Sequence, residues 1–446
     1  MGASTSSSAD GTPPVESSRL VDEKGKPAAD NTPKPLDKLF YALHVPRLIG
    51  AVHIILGHYR TAETYDSLSA TLGLSVWWVD FFFMLSSFGA AHSRMHKVSL
   101  ERIATEEPIL PSPTGLLRRL AAIYPTFLVA FLLSWMGRCL ATRGDCETPY
   151  AFTCYHPAQL ILEGLGIRDW FPYVGLIPQP PEAGQGHQLA YNEPAWFVSA
   201  LLFCYLFERA FIRLAAMGQV YAGKGNVPWA TIVGVGLYLV TSPTANFPFT
   251  WANSCSIAAL KALHKYFCGS VLAAYLHSRA DAGYEPNWLM RFAATGSLLV
   301  FIGLLFLNFA FDPDSSRDLC VRIRDAGATL VLYTLMIAGL AGNADPIARC
   351  LNALPPWLND LARDLSGGVY LLQEPVAIII FLCFPTGAVA LCPRDNQYWP
   401  FTDGKHVQQH YFLVIMLPSL FAAAALVHFG WQKPIAQAVG RRLKVW

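Results

Sequence analysis

Two ionisable residues, Arg47 and His58, lie eleven positions apart in a largely apolar segment that also holds His53. Eleven helical steps of about 100° bring both side chains within about 20° of one face. A rise of about 1.5 Å per residue separates them by about 16 Å along the axis. Such a face presents a cation for an anionic ligand and an imidazole for acid–base chemistry. Arg47 alone is also typical of a snorkelling anchor at a membrane surface.

A carboxylate precedes three phenylalanines in the next apolar segment, at Asp80. An ionisable group inside a membrane span costs about 2.5–3.5 kcal/mol on insertion scales, so we expect Asp80 to face protein or water. Segments that are consecutive in sequence are usually neighbours in space. We therefore predict that Asp80 lies beside His58, fixes its tautomer and makes it a general base. A hydrogen bond that only pairs two helices is the alternative.

Adjacent arginines, Arg118 and Arg119, begin the third apolar segment. Guanidinium groups match the geometry of phosphate oxygens, so these two and Arg47 could clamp a phosphorylated ligand. As an isolated feature, such a pair is more typical of a signal for membrane topology.

Later segments also contain polar groups. Lys261, His264 and Lys265 share one helical face and suggest a polar cavity or an anionic ligand. Gln373 and Glu374 precede a proline in another apolar segment. A helix kinked by that proline would leave backbone groups unpaired near them.

The elements that must position these residues are membrane helices. The chain of 446 residues is 53% hydrophobic and only 14% charged, whereas soluble domains have about 25% charged residues. Apolar blocks of the length that crosses a bilayer recur along it. We predict an all-α integral membrane protein of about ten transmembrane helices in one bundle, near residues 43–59, 76–93, 121–137, 194–213, 229–243, 255–275, 288–311, 325–342, 367–385 and 411–431.

Charge distribution predicts the organisation around these spans. Residues 1–36 are rich in Ser, Pro, Asp and Lys, and they predict a disordered cytoplasmic tail; residues 37–446 form the predicted membrane domain. Lysine and arginine concentrate in this tail, in the 94–119 loop and at the C-terminus, so both termini are expected to be cytoplasmic. The loop at 312–324 counts against this orientation, because it is expected outside yet holds three arginines.

Two further classes of site are not expected. No basic stripe interleaved with aromatic residues is present, which argues against nucleic acid. His92 and His96 have the spacing of metal ligands on a helix, but they lie at a basic segment end without a nearby carboxylate. We expect a solvated face there and predict no metal site.

Five stretches, in order, resemble the acyltransferase-3 family of integral-membrane O-acyltransferases. Arg47 to His58 resembles the family's Arg-x10-His pattern, and Val79 to Phe88 is similar to its VDLFFVLSGF stretch. Leu117 to Pro125 is similar to its RRLxRIYP entrance, Pro194 to Tyr205 to its WFLSALLxxYL stretch, and Gly368 to Val376 to its YxLYLLHxPV stretch.

The resemblance implies about ten core spans, an acyl-CoA donor that enters from the cytoplasm, and a hydroxyl acceptor. It makes His58 the catalytic base and places Arg47 and Arg119 near the phosphates of coenzyme A. Four positions depart from the family pattern. Ala122 stands where a second entrance arginine is usual, Ser87 where the glycine of SGF is usual, Trp78 where glycine is usual, and Gln373 where a late histidine is usual.

Three function classes follow. The first is an O-acyltransferase that moves an acetyl or short acyl group from acyl-CoA to a small lipophilic or secondary-metabolite hydroxyl, with His58 and Asp80 as catalytic residues and Arg47, Arg118 and Arg119 at the donor. The second is a membrane terpene cyclase or isomerase with Asp80 as general acid. The third is a transporter in which the Lys261 face lines an anion path. In each case we expect a multi-pass protein in contact with the lipid bilayer of an endomembrane (endoplasmic reticulum or Golgi) or the plasma membrane.

Overall fold

A computed structural model of the chain describes residues 41–58, 74–141, 157–167, 170, 194–222, 258–281, 288–310, 327–383 and 409–443. Over these ranges the chain is almost entirely helical and has no strand, which confirms the all-α prediction. The elements are α1 (Tyr41–His58), a 3-10 turn (Leu74–Trp77), α2 (Trp78–Met95), α3 (Leu100–Glu106), α4 (Pro113–Ala141), α5 (Pro157–Gly164), α6 (Ala195–Ala222), α7 (Ala258–Asp281), α8 (Trp288–Ala310), α9 (Ala328–Ala341), α10 (Pro346–Asn352), α11 (Pro356–Cys383), α12 (Gln409–Val427), a π-helix (His428–Gln432) and α13 (Lys433–Arg442).

Within the described ranges, four stretches of helix are long and apolar enough to cross a membrane. They lie in α4, in α6, in α8, and in α12 with its π-helix and α13. The pair α9 and α10, bent by 55° at a short break, qualifies together as a fifth. The chain is thus a multi-pass membrane protein in which four to five spans are evident. The count of ten spans and the cytoplasmic position of both termini stay predictions.

Four other predicted spans correspond to α1, α2, α7 and α11, which are helices at the expected positions. These helices are less apolar because they carry the polar residues of the interior. They are largely buried, whereas the apolar windows in α8 and α12 are only 22% and 17% buried and face outwards. The predicted span at 229–243 and the predicted tail at 1–36 lie outside the described residues.

Helix packing determines which residues meet. α7 packs along α2 and α6, and the approach to α2 is so close at Gly269 that a side chain there would collide with the Met84 carbonyl group. α1 packs mainly along α11, and it makes far less contact with α2. α11 also packs against α4 and α12. The helix that follows α1 in sequence is therefore not its main neighbour.

Local sequence explains the ends of the shorter helices. Ser99 caps α3, where its side chain accepts a hydrogen bond from the Arg102 amide. Asp345 caps α10 before Pro346, the usual residue for a first helical position. The buried Asp345 carboxylate also accepts hydrogen bonds from the amide and hydroxyl of Thr295, at 2.9 and 2.7 Å, and so ties α10 to α8.

Candidate active site

The polar face of α1 is directed at α11. The Arg47 side chain is half-buried. Its guanidinium lies beside Gly367, where a Cβ atom would be 3.7 Å from Nη2. His58, the last residue of α1, contacts Gln373 on the same partner helix. Both ends of the predicted face therefore meet α11.

Gln373 orients the imidazole of His58. Its Nε2 donates a hydrogen bond to the Tyr370 carbonyl oxygen at 2.8 Å, so its Oε1 faces His58 Nδ1 at 3.0 Å. An amide oxygen only accepts, so Nδ1 carries the proton and donates it in this bond. The lone pair is then on Nε2, which is the tautomer that a general base acting through Nε2 requires. Gln373 is fully buried, which fixes its side chain in this orientation.

Asp80 lies in a different cluster, between α2, α7 and α9. Its Oδ1 pairs with the Lys265 ammonium, and its Oδ2 accepts a hydrogen bond from Thr329 Oγ1 at 2.9 Å. The expected pairing of Asp80 with His58 is therefore not formed, and Gln373 has the predicted orienting position instead. The prediction that Asp80 would be at His58 assumed that α1 and α2 are close neighbours, and their limited contact is the reason it fails.

The interface between α1 and α2 is filled by Trp78. Its ring lies directly over Gly50, where a Cβ atom would be only 2.6 Å from Trp78 Cε3. Its Nε1 donates a hydrogen bond to His53 Nδ1 at 2.9 Å. His53 is thus bonded to a neighbouring helix and does not share the face of Arg47 and His58. The tryptophan that departs from the family pattern has a clear structural role here.

Arg119 is half-buried and lies beside Tyr205. Its Nη2 donates a hydrogen bond to Glu208 at 3.1 Å, and its guanidinium lies 5.5 Å from the centre of the Tyr205 ring. The Tyr266 hydroxyl donates to the second oxygen of Glu208 at 2.9 Å. Arg47 is also within electrostatic range of the Tyr205 hydroxyl. Two guanidinium groups and one carboxylate therefore surround Tyr205, and the group keeps a net positive charge.

Arg118 and Ala122 lie on the outer side of α4. Both are exposed, so Arg118 does not share the inward direction of Arg119. The Ala122 carbonyl oxygen accepts a hydrogen bond from Gln432 of the π-helix. Of the three arginines predicted to clamp phosphates, Arg47 and Arg119 are half-buried and each lies within electrostatic range of Tyr205, whereas Arg118 is exposed.

The remaining polar face of α7 does not present three available cations. Lys265 is paired with Asp80, and His264 is buried and has a contact of its own. The side chain of Lys261 lies outside the described residues.

The predicted solvated face at His92 is wrong. His92 is buried, and its Nδ1 lies 3.0 Å from Nε2 of His277, a residue of α7 that the sequence did not single out. His96, one turn later, is exposed as expected. Within the described ranges no group of three or more His, Cys, Asp or Glu side chains could hold a metal ion.

Three residues around the site were missed from sequence: Tyr205, Glu208 and Thr329. Glu208 could have been found, because a carboxylate inside an apolar span is a functional candidate in itself. Tyr205 lies three residues before it, on the same face of α6. The Thr329 hydroxyl gives no comparable signal, since hydroxyl residues are common in membrane helices.

Comparison with known proteins agrees with this architecture. A family model for acyltransferase-3, described as an acyltransferase domain, matches residues 40–429, which include all of α1 to α12. The chain belongs to this family, and it is a membrane protein of the acyltransferase class. Comparison with curated proteins and with solved structures finds no match.

Proposed function

We propose that the protein is an O-acyltransferase that uses acyl-CoA as donor and His58 as base. Nε2 of His58 removes the proton from an acceptor hydroxyl, and the resulting oxygen nucleophile attacks the thioester carbonyl carbon. The tetrahedral intermediate expels the thiolate of coenzyme A, and the imidazolium returns the proton to this sulfur. The products are an ester and free coenzyme A, and no metal takes part.

The contact between His58 and Gln373 carries this proposal. A histidine without a catalytic role in a membrane helix needs only one hydrogen bond, and either ring nitrogen can make it. Here the amide of Gln373 is itself held by the Tyr370 carbonyl group, so the ring is fixed in one tautomer by two successive hydrogen bonds. A base oriented by a third group is the arrangement that activates hydroxyl groups in many unrelated enzymes.

Arg47 and Arg119 support the choice of donor. Both arginines lie near Tyr205. The Arg47 and His58 positions are about 16 Å apart along α1. This separation is comparable to an extended pantetheine arm, which would connect phosphates at the arginines with a thioester at the imidazole. Glu208 holds Arg119 through one nitrogen, so the other guanidinium nitrogens remain able to face a phosphate.

An aromatic cluster that includes Tyr370, one turn before Gln373, supports a lipophilic acceptor. Phe82, Phe197 and Tyr370 form a cluster with ring centres 6.0 Å (Phe82–Phe197) and 5.5 Å (Phe197–Tyr370) apart. Tyr370 links this cluster to Gln373 through its carbonyl group. Such a wall favours an apolar alcohol, including a secondary metabolite, over a polar glycan. The reaction would take place in an endomembrane, at the endoplasmic reticulum or Golgi, or in the plasma membrane.

The contacts of Asp80 favour acyl transfer over the cyclase reaction. A general acid must carry a proton to donate, but both oxygens of Asp80 accept hydrogen bonds, one of them from an ammonium group. The same ion pair removes Lys265 from a path for anions, so it gives no support to transport.

The test uses the full chain purified in phosphatidylcholine nanodiscs. Labelled acetyl-CoA and longer acyl-CoA thioesters are offered with a panel of lipophilic alcohols, and both ester formation and release of free thiol are measured. We expect wild-type protein to transfer label and His58→Ala to lose at least about 10²-fold in rate, as removal of a general base does.

His96→Ala is the matched control, because His96 is an exposed histidine at the far end of α2. It should retain the wild-type rate. Equal rates for His58→Ala and wild type would overturn the proposal. Product formation from an olefin or epoxide without any acyl-CoA, abolished by Asp80→Asn, would favour the cyclase instead.

A further inference from the structure

A group of exposed cations lies where α13 meets α4. We call it the cationic surface: Lys433, Arg441 and Arg442 on α13, and Arg118 on α4, all exposed. α13 packs along α4, and Gln432 joins them by a hydrogen bond to the Ala122 carbonyl. Lys433 follows Gln432 directly, and Arg118 lies one turn before Ala122. Two of the four cations are therefore within one turn of the same junction.

These four cations have no acidic partner among the described residues. Two other arginines with exposed side chains do have one: Arg102 pairs with Glu106 at 2.6 Å, and Arg94 pairs with Glu107 at 2.6 Å. The Lys433 ammonium lies 5.4 Å from the centre of the Phe429 ring, a contact that leaves its charge uncompensated. The positive charge of the surface is thus available to an anion.

Apolar side chains beside the cations indicate their depth in the membrane. Phe429 and Trp431 are 48% and 51% exposed, and they lie just before Lys433 in the apolar stretch Val414–Arg442. Leu426, one turn earlier, is 75% exposed. Aromatic side chains concentrate where the hydrocarbon core meets the headgroups. Lys433 and the residues after it therefore begin at the level of the phosphates.

One stripe of polar side chains runs along the exposed side of α13. Lys433, Gln437 and Arg441 follow one another at intervals of four residues and are exposed, whereas Val439 and Gly440 face the bundle. The cationic surface therefore extends over about 12 Å, from Lys433 to Arg441. This length spans more than one lipid headgroup. Because the cationic surface faces outwards, lipid can reach it.

We propose that the cationic surface binds anionic phospholipid headgroups of the adjacent leaflet. Unpaired positive charge, headgroup depth and neighbouring exposed apolar side chains together match an anionic lipid better than a soluble anion. Arg118 then has a different ligand from its neighbour Arg119, which faces the interior. The bond between Gln432 and Ala122 connects the lipid site to the helix that carries Arg119, so bound lipid would stabilise the junction between α4 and the π-helix.

The experiment measures lipid and not catalysis. Full-length protein is reconstituted in mixed phosphatidylcholine and phosphatidylserine nanodiscs, extracted gently, and analysed for retained lipid by native mass spectrometry. Wild-type protein should retain phosphatidylserine in preference to phosphatidylcholine. Each cation near the surface contributes about 1 kcal/mol, which is about a fivefold change in affinity. Arg441→Gln/Arg442→Gln should therefore reduce the preference by about 25-fold if both cations act fully, and addition of Arg118→Gln should reduce it further.

Two controls keep the result interpretable. Arg102→Gln removes an exposed arginine that has an acidic partner, and it should not alter lipid retention. Arg441→Lys/Arg442→Lys retains the charge and should retain the preference, which separates loss of charge from loss of folding. The proposal is overturned if the glutamine variants keep the wild-type preference, or if soluble acyl-CoA displaces the retained lipid. Because no acyl-CoA or acceptor is needed to measure retention, failure of the acyltransferase proposal would not affect this test.

Discussion

Nδ1 of His58 and the amide oxygen of Gln373 lie 3.0 Å apart, although 315 positions separate the two residues in sequence. The contact joins the last turn of α1 to the middle of α11 and makes the packing of these two helices the centre of the site. Where the family pattern has a late histidine, this chain has a neutral amide whose oxygen accepts a hydrogen bond from His58 but does not take up its proton. Gln373 is thus a positioning residue, and His58 alone would transfer protons.

The Gln373 substitutions should separate positioning from simple packing. Gln373→Ala leaves the buried Nδ1–H without its acceptor and frees the ring to rotate, so we expect kcat to fall by about 10²-fold, within the range of a disturbed general base. The KM for acyl-CoA should not change. Gln373→Glu keeps the acceptor and adds a negative charge that stabilises the imidazolium. Activity should therefore be retained at alkaline pH.

The pH profile of Gln373→Glu gives the distinguishing signature. Protonation of His58 inactivates a base, so the rate falls towards acid pH, and stabilisation of the imidazolium moves this fall to higher pH. If residue 373 only filled space, Gln373→Glu would have the same pH profile as wild type. Superimposable profiles for wild type and Gln373→Glu would contradict the positioning role.

Arg119 and Arg118 are neighbours in sequence, but only substitution of Arg119 should weaken donor binding. Arg119→Gln removes a charge from the interior space around Tyr205, so KM for acyl-CoA should rise about tenfold, which corresponds to one charge-assisted contact. Arg118→Gln should leave KM for acyl-CoA at the wild-type value in detergent. Steady-state kinetics at varied acyl-CoA measures both. Equal increases in KM for the two variants would show that Arg118 also reaches the donor.

The sequence predicted those parts of the site that depend on one helix. The common face of Arg47 and His58 follows from helical periodicity, and both residues do meet α11. The partner of His58 depends on which helix packs against α1, and no local pattern contains that information. Asp80 is a charged residue in the next span and was the natural candidate, whereas Gln373 is neutral and more than 300 positions away.

Steric fit explains why the expected arrangement is not formed. The bulk of Trp78 fills the space between α1 and α2 beside Gly50, and Asp80 finds Lys265 and Thr329 on other helices. Which helices pack together depends on how side-chain volumes fit across the whole bundle. The positions of the helices in the sequence were predictable because each apolar block is contiguous. The packing partner of each helix was not predictable in this way.

The Asp80–Lys265 pair should contribute to stability and not to catalysis. Asp80→Asn leaves a largely buried ammonium without its counter-ion, and loss of one partner of a buried pair costs about 3 kcal/mol. We expect a lower melting temperature in a thermal-shift assay, with kcat of the folded protein little changed. Lys265→Met should destabilise in the same way, because it leaves the buried carboxylate unpaired.

The double variant Asp80→Asn/Lys265→Met sharpens this test. Replacement of both charges removes the uncompensated ion, so the double variant should be more stable than either single variant. If Asp80 were a catalytic acid, Asp80→Asn would abolish turnover, and the second substitution would not restore it. Additive losses of stability would contradict the ion-pair interpretation.

Gly50 should tolerate no larger residue, since Trp78 cannot move away from it. A Cβ atom at position 50 would lie 2.6 Å from Trp78 Cε3, and the indole is held by its bond to His53 and by the Phe81 and Phe301 rings, each 5.4 Å away. Overpacking of this kind costs about 1–3 kcal/mol. Gly50→Ala should therefore lower the melting temperature, and displacement of α1 should also lower kcat by moving His58 from Gln373.

Two comparisons test whether the collision with Trp78 is the cause. Gly303→Ala in α8 is the matched control, because no atom lies within 4 Å of a Cβ there, and alanine in a helix is favoured over glycine by about 0.5–1 kcal/mol. That variant should be as stable as wild type or more so. Trp78→Leu makes space beside position 50, so Gly50→Ala should destabilise Trp78→Leu protein less than it destabilises wild type. An equal loss in both backgrounds would mean that the added methyl group meets something other than Trp78.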